Sequence, residues 1–181
     1  MKKFLQFAGL ISLVLGAVAF ILMMATPAVV GTSELLGSKS ITNLNGINAI
    51  FGKGADLSAA EILWFANSDG KIILSATSLI GWILLLAALV IVCLGVVLPL
   101  LKINALQKFA GLLNLIAVAA FVVAGIFMFL VVATIYGANG REIADGAAIG
   151  AGWVIGGILA ILAGVIAIMP AAVDFMAKGK K

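Results

Sequence analysis

The chain has 181 residues, 65% of them hydrophobic and 10% charged, and its mean hydropathy is +1.33. Soluble domains are about half apolar and a quarter charged, so the composition excludes a water-soluble fold and predicts an all-α integral membrane protein. The formal charge of +4 comes from short basic clusters beside apolar runs, which indicates membrane topology rather than nucleic-acid binding. Histidine is absent and Cys93 is the only cysteine, which excludes an internal disulfide and a Cys/His metal site.

The first of four predicted membrane spans covers residues 4–30, which carry no charge and exceed the about 20 residues that a spanning helix needs. Lys2 and Lys3 before this run, and Thr26 and Pro27 near its end, also fit a cleaved signal peptide. The apolar core of a signal peptide has about 7–15 residues, and this run is longer. We therefore favour a retained helix.

Residues 31–76 form a long polar segment, predicted to be the first extracellular loop of a four-transmembrane-helix bundle. Ser58 and Glu61 have the spacing of a capping box, in which each side chain accepts a hydrogen bond from the other residue's backbone amide. This pair predicts a short helix over about residues 59–66. A turn is expected at residues 67–70, because they contain Asn, Ser, Asp and Gly.

The same loop also has strand-like segments. Residues 40–45 can be extended, and residues 71–77 are rich in β-branched and apolar side chains. The pattern allows a small β-sheet in which residues 41–51 pair with residues 72–76. Such a sheet would give the loop a fixed shape above the helices.

Trp64 and Phe65 in the predicted loop helix have two interpretations. Tryptophan collects at headgroup depth in membrane proteins, and an interfacial role for Trp64 is the interpretation we favour. Alternatively, the two rings form an exposed contact for another protein. Trp82 and Trp153, each close to the outer end of a span, fit the same interfacial belt.

The second and third predicted spans cover residues 77–101 and 109–136, and a short outer loop at residues 137–145 follows them. An Asn-Gly pair that begins at Asn139 predicts a turn in this loop. Asn114 lies inside the third span, where its expected role is a hydrogen bond between helices.

The fourth predicted span covers residues 146–170 and contains small residues at intervals of four. Helices in lipid associate where small residues let their backbones approach, and glycine costs about 1 kcal/mol relative to alanine inside a helix. The row therefore predicts packing against a neighbouring helix, in the same chain or in a second copy, and we favour the same chain. The row consists of Ala148, Gly152, Gly156, Ala160 and Gly164.

The distribution of lysine and arginine predicts the orientation of the spans. Seven basic residues lie on one side, close to span ends, and four lie on the other, and such residues concentrate on the cytoplasmic side. The N-terminus, the turn at residues 103–107 and a tail at residues 171–181 are therefore predicted to be cytoplasmic in a plasma membrane protein. The seven are Lys2, Lys3, Lys102, Lys108, Lys178, Lys180 and Lys181, and the four are Lys39, Lys53, Lys71 and Arg141.

The predicted spans contain no Asp, Glu, Lys or Arg, although an ionisable residue within a span is the usual mark of a functional site in the membrane. We predict that the protein is not an enzyme and has no catalytic, cofactor-binding or metal-binding residues. Our first hypothesis is a scaffold, envelope component or accessory subunit that contacts membrane lipids and binds a protein partner or itself. The alternative is a small channel or carrier subunit whose pore forms on oligomerisation. A pore needs a polar stripe, and the spans offer only scattered polar residues, which favours the first hypothesis.

The layout of the chain resembles the claudin and peripheral myelin protein family of four-helix membrane proteins. The shared features are cytoplasmic ends, a long first outer loop, a short second one, and a strand-like segment before the second helix. The resemblance implies lateral assembly and adhesive or partner-binding loops. Leu63 and Trp64 match part of that family's W-GLW-C-C signature, but this loop has no cysteine to form the family's disulfide. On residues 46–52 the chain is also similar to small uncharacterised bacterial membrane proteins with four spans.

Overall fold

The structure, a computed structural model, describes residues 2–35, 38–100 and 110–178, and these residues form seven helices and three strands. The helices are α1 (Lys2–Ala25), α2 (Gly46–Phe51), α3 (Ala59–Phe65), α4 (Ala76–Leu100), α5 (Ala110–Phe129), α6 (Val131–Ala138) and α7 (Ala151–Lys178). The strands are β1 (Pro27–Leu35), β2 (Ser38–Asn45) and β3 (Ala147–Ile149).

Four of the helices are long and apolar enough to cross a membrane, which confirms the predicted number of spans. Each contains an apolar stretch of 19 to 22 residues, close to the about 20 residues that cross the hydrocarbon core. These helices indicate a multi-pass membrane protein. The stretches are Phe7–Ala25 in α1, Ala76–Val97 in α4, Gly111–Phe129 in α5 and Ala151–Met169 in α7.

The four long helices form a ring in which each packs against two neighbours. Both α1 and α5 lie between α4 and α7, on opposite sides of the bundle. Met23 of α1 and Phe121 of α5 are fully buried in the core of the chain. Between α1 and α7, the hydroxyl of Ser12 donates a 2.8 Å hydrogen bond to the carbonyl of Ala163. This polar side chain is thus satisfied inside the bundle, away from lipid.

The small residues of α7 pack against other parts of the same chain, as we favoured from the sequence. A Cβ atom added to any of the three glycines of the predicted row would come within 3.0 Å of a neighbouring side chain. Ala160, in the same row, is fully buried. This face of α7 is therefore occupied within the chain. The facing residues are Thr26 for Gly152, Met128 for Gly156 and Val122 for Gly164.

The backbones of α5 and α7 also approach each other at Gly125 and Gly157, a pair that the sequence analysis did not single out. A Cβ atom on Gly125 would lie 2.8 Å from the carbonyl oxygen of Gly157, and one on Gly157 would lie 3.1 Å from that of Gly125. Each glycine thus faces the other's backbone as well as a side chain, Ile161 at Gly125 and Phe129 at Gly157. A larger residue at Gly125 would force the two helices apart.

The first predicted span, residues 4–30, is too long, because α1 ends at Ala25 and β1 begins at Pro27. Proline has no backbone N–H for a helix, and it pushes the residue before it towards an extended conformation. The β-branched Val29 and Val30 that follow favour a strand. Hydropathy does not distinguish the first residues of this strand, 27–30, from the span, because both are apolar.

The fourth predicted span, residues 146–170, begins too early. β3 comes first, and α7 begins at Ala151, so Ala148 belongs to a strand and not to the helical small-residue row. Gly146 has a φ of +88°, a conformation that side chains rarely adopt, and it leads the chain into β3. The remaining members of the row lie in α7.

The three strands form one antiparallel sheet in the order β2-β1-β3. β1 pairs with β2 from Pro27 opposite Asn45 to Leu35 opposite Ser38, with an irregularity between Pro27 and Val29. Its other edge pairs with β3 through residues 29–31. The sheet therefore joins the start of the first outer segment to residues 147–149, which were predicted as the beginning of the fourth span.

The predicted pairing of residues 41–51 with residues 72–76 is wrong. Residues 40–45 are extended, as expected, but their partner is β1, whose residues 27–30 were predicted in the first span and whose residues 31–35 were predicted in the loop. Residues 46–51 form α2. The segment before α4 contributes one isolated bridge, between Ile72 and Lys53.

The third predicted span, residues 109–136, consists of two helices. α5 and α6 are separated by Leu130, whose φ of −86° and ψ of 1° depart from helical geometry. Because α6 extends to residue 138, the loop predicted at residues 137–145 begins later. Asn139 and Gly140 form the expected turn. Asn114 is half-buried in α5, and its hydrogen bond to another helix stays a prediction.

Two predicted cytoplasmic segments lie partly or wholly outside the described residues. The turn at residues 103–107, with Lys102 and Lys108, lies outside them, as do residues 179–181. The tail predicted at residues 171–181 continues α7 as far as Lys178. The fourth long helix is therefore longer than the predicted span.

Candidate functional site

The cap is the part of the chain that covers one end of the bundle, and it comprises the described residues within 26–75 and 139–150. It contains the sheet, α2 and α3. It borders the C-terminal end of α1 and the N-terminal ends of α4 and α7. All the charged side chains whose placement the structure describes belong to the cap. Polar chemistry within those residues is therefore concentrated at this end of the molecule.

The predicted capping box at the start of α3 is confirmed. The hydroxyl of Ser58 accepts a 3.2 Å hydrogen bond from the amide of Glu61, and the Glu61 carboxylate accepts a 2.9 Å hydrogen bond from the amide of Ser58. The box satisfies two backbone groups that the helix itself leaves unpaired. α3 ends at Phe65, one residue before the predicted end.

An ion pair ties α3 to the segment that follows α2. The ammonium of Lys53 donates to both carboxylate oxygens of Glu61, at 3.1 and 3.3 Å, and the two side chains are 27% and 16% exposed. Burial raises the pKa of Glu61, but the hydrogen bonds from the Ser58 amide and from Lys53 outweigh it, so the pKa lies below its ordinary value of 4.5. Glu61 therefore serves both the capping box and the ion pair as a carboxylate.

Trp64 and Phe65, one of whose predicted roles was an exposed contact for a partner, are buried in the cap. The indole of Trp64 covers Gly31 of β1, where a Cβ atom would lie 2.5 Å from the ring. Phe65 is 1% exposed and meets Tyr136 of α6 edge-on, with ring centroids 6.4 Å apart. The hypothesis of an exposed Trp64–Phe65 contact is therefore wrong. The two rings attach α3 to the sheet and to α6.

Ile62 and Leu63 of α3 are apolar and exposed, at 45% and 69%. At about 100° per residue, Ile62 lies about 60° from Phe65 and Leu63 about 100° from Trp64 around the helix axis, so the two exposed residues border the buried face. The residues of α3 that a partner could reach are therefore Ile62 and Leu63.

Arg141 connects the second cap segment to α3. Its guanidinium donates hydrogen bonds to the carbonyls of Ile62, at 3.2 Å, and Ala66, at 3.1 Å, which are left unpaired at the C-terminal end of a helix. Ile143, two residues further along, is 55% exposed. We use the name α3 patch for Ile62, Leu63 and Ile143.

Asn139 fastens the cap to the bundle. Its side-chain oxygen accepts a 2.8 Å hydrogen bond from the amide of Ile73, and its side-chain nitrogen donates to the carbonyl of Ile135 at 2.9 Å. Asn139 is buried, so both bonds are shielded from water. They join the end of α6 to the segment before α4.

Of the three tryptophans assigned to an interfacial belt, Trp64 is buried in the cap and Trp153 is fully buried. Its indole nitrogen lies beside Gly46 at the start of α2, 3.1 Å from where a Cβ atom would stand. The belt assignment is therefore wrong for Trp153. Trp82 is half-buried, with its ring centroid 6.0 Å from that of Phe20 and 5.4 Å from that of Phe51.

The outward faces of the four spans offer no site for polar chemistry. In the four apolar stretches of the described chain, every exposed residue is Ala, Gly, Val, Leu, Ile, Met or Phe. In the described part of the chain, no group of three or more His, Cys, Asp or Glu residues is placed to hold a metal ion. The absence of catalytic and cofactor-binding residues stays a prediction.

The sequence analysis missed the roles of Arg141 and Asn139, which it treated as a topology charge and a turn residue. It also named the wrong pair of α3 residues as exposed. All four side chains from Ile62 to Phe65 are apolar, so the pattern does not show which pair faces inward. The capping box gives the start of the helix and not its rotation about its own axis.

The comparisons with known proteins do not assign the chain to a family. No family model and no curated protein matches the chain. The claudin-like resemblance therefore stays a prediction.

Proposed function

We propose that this chain is a non-enzymatic protein of the plasma membrane that binds a protein partner through the α3 patch, as a scaffold, envelope component or accessory subunit. Its four spans would lie in the bilayer, its ends in the cytoplasm, and the sheet and α3 of its cap outside. The α3 patch carries this proposal. It exposes three large aliphatic side chains in the cap, which also holds the charged residues whose side chains the structure describes.

Contacts at both ends of α3 hold the helix that carries Ile62 and Leu63. The capping box and the Lys53–Glu61 ion pair hold the start of α3, and Arg141 holds its end. Because the surrounding structure already fixes α3, binding there would cost little ordering of the backbone. Burial of an exposed leucine side chain contributes about 1.5–3 kcal/mol, so Leu63 is expected to give the largest share of the binding energy.

The apolar outward faces of the spans support this proposal over the alternative of a pore made by several copies. A water-filled pore needs polar side chains along a helix face, and the described spans expose none. Solute flux through liposomes that contain the purified protein tests the alternative. Selective, saturable movement of a solute would favour a channel or carrier subunit instead.

Photocrosslinking tests the α3 patch directly. A benzophenone amino acid replaces Leu63 in one variant and Ile41 in a matched control, and cells are irradiated before purification and mass spectrometry. Ile41 is 64% exposed but lies on the other face of the sheet, because Thr42, the next residue along β2, is buried and pairs with Gly31 beneath Trp64. We expect a specific protein adduct from Leu63 and none from Ile41.

A second variant checks that the adduct reports binding at the patch. With the benzophenone at Ile143, the substitution Leu63→Ser should abolish the adduct, because it removes the most exposed aliphatic side chain of the patch without touching the core. Equal adducts from Leu63 and Ile41, or no protein adduct from the patch at all, would contradict the proposal.

A further inference from the structure

The helix α2 begins beside the last turn of α1 rather than above it. The amide of Gly46 donates a 3.0 Å hydrogen bond to the carbonyl of Thr26, and Gly46 lies against the carbonyl of Met23, where there is no room for a Cβ atom. Met23 is part of the first apolar stretch, Phe7–Ala25. The start of α2 therefore lies at the depth of that stretch's final turn.

The end of α2 lies beside two spans as well. The ring of Phe51 meets Trp82 of α4 edge-on, and Trp82 in turn contacts Phe20 of α1. Trp82 lies six residues after Ala76, the first residue of α4, which corresponds to about 9 Å along the helix axis. Phe51 is therefore next to the outermost turns of α1 and α4.

α2 has apolar residues on both its buried and its exposed side, and its one polar residue, Asn48, is half-buried. Its buried residues are Gly46, Ala49 and Ile50, while Ile47 and Phe51, four residues apart on one face, are 49% and 46% exposed. A helix with apolar residues on both sides is expected in a core or in a membrane rather than at a water-covered surface. About half of Ile47 and of Phe51 is left uncovered by the chain.

Hydrogen bonds pair backbone groups of this region, as a position in the bilayer requires. The amide of Ser75 donates to the carbonyl of Ala49 at 3.4 Å, and the amide of Gly52 donates to the carbonyl of Asn48 at 2.9 Å. Gly52 has a φ of +78°, which turns the chain away from α2. Lys53 then follows, and its ammonium reaches Glu61 in the cap.

We propose that α2 is inserted into the bilayer leaflet on the cap side, and that Ile47 and Phe51 contact lipid acyl chains. This inference rests on the membrane insertion in the proposed function. The face of α2 continues the lipid-facing surface of the neighbouring spans, where Ile21 and Ile80 are exposed. Ile73, exposed in the segment beside α2, extends the same surface. The partner of this surface is lipid, because a water-soluble protein does not reach that depth.

Depth-dependent fluorescence quenching tests the inference. Single cysteines replace Ile47 or Phe51 in a Cys93→Ala background, are labelled with an environment-sensitive nitrobenzoxadiazole dye, and are reconstituted in phosphatidylcholine nanodiscs. Quenching by a phosphatidylcholine with a spin label near the headgroup is compared with quenching by iodide in water. Ile83→Cys, exposed within α4, is the control for lipid, and Leu63→Cys, exposed on α3, is the control for the cap.

We expect the dye at residues 47 and 51 to have blue-shifted emission, lipid quenching and the same loss of iodide quenching as at residue 83. Iodide quenching equal to that at residue 63 would overturn the inference. So would protection from both quenchers, because a second protein or a second copy would then cover α2.

The control at residue 83 separates this inference from the proposed function. If iodide also quenches the dye at residue 83, membrane insertion itself fails. If residue 83 is lipid-quenched while residues 47 and 51 are not, only the placement of α2 is wrong. Because Phe51 contacts Trp82, the Ile47 variant gives an independent result should Phe51→Cys fail to yield a monodisperse protein.

Discussion

The bundle and the cap are held together by different interactions. In the bundle, α5 and α7 meet at Gly125 and Gly157, where each glycine faces the other's carbonyl. In the cap, α3 is held by buried aromatic rings together with an ion pair and side-chain hydrogen bonds to backbone groups. Under the proposed placement, with the bundle in lipid and the cap in water, the difference follows from the two solvents. Lipid gives apolar helices no hydrophobic reason to associate, so close backbone packing matters more there, whereas in water burial of Trp64 and Phe65 drives the fold.

This comparison implies that the two regions can be destabilised separately. Substitutions at the glycine contacts should lower the stability of the whole molecule, because they separate two spans. Substitutions at the polar contacts of the cap should open the cap first and leave the helices packed.

Gly125→Ala is expected to lower the free energy of unfolding by about 2 kcal/mol, because its methyl group would overlap the carbonyl of Gly157. Thermal unfolding in mild detergent measures this change in the free energy of unfolding. Gly95→Ala in α4 is the matched control, since Gly95 is exposed and its added Cβ atom would meet its nearest neighbour at 3.4 Å. The control should be neutral or slightly stabilising, because alanine favours helix by about 1 kcal/mol over glycine. Equal effects of the two substitutions would contradict the proposed helix contact.

Asn139→Ala is expected to destabilise the junction of the cap and the bundle by about 1–3 kcal/mol, because the amide of Ile73 loses its buried acceptor. Hydrogen–deuterium exchange should show faster exchange at residues 72–75, with α5 and α7 unchanged. Asn43→Ala, at an exposed position on β2, serves as the control and should leave exchange unaltered. Unchanged exchange in Asn139→Ala would show that the junction does not depend on this side chain.

Ser58→Ala is expected to cost about 1 kcal/mol of local stability in α3, because it removes the hydroxyl that accepts from the amide of Glu61. Exchange of the α3 amides should rise about fivefold, the equivalent of that energy. The control is Ser68→Ala, an exposed position in the turn after α3. If both variants behave alike, the capping box contributes nothing measurable.

Glu61→Gln is expected to have the smallest effect at neutral pH, because glutamine can keep the reciprocal hydrogen bond of a capping box but loses the charge. The pKa of Glu61 is lowered in the folded state, so its contribution to stability is present above the pKa of the unfolded chain. That contribution is lost as the pH falls through the folded-state pKa. Hydrogen exchange of the α3 amides, measured between neutral pH and about pH 3, reports the opening of α3. This opening should therefore depend less on pH in Glu61→Gln than in the unaltered protein. An unchanged pH dependence would contradict this assignment.

The bundle was largely predictable because each span is a long apolar run without charges, and hydropathy detects such runs. The junctions were not, because residues 27–30 and 147–149 are as apolar as the helices that they adjoin, yet they form strands. β1 pairs along its length with the nearby β2, but β3 pairs with β1, a segment more than a hundred positions away, as from Ile149 to Val29. A pattern within one segment carries no information about that partner.

For the candidate site, the sequence alone was enough for the capping box and the short helix, since both follow from local spacing. The tertiary structure decided which side of that helix is exposed, because the sheet and α6 bury Trp64 and Phe65 and leave Ile62 and Leu63 outside. The tertiary structure also decided that the small residues of α7 pack against other segments of the same chain. Local conformation depends on neighbouring residues, whereas burial depends on which distant segment packs against them.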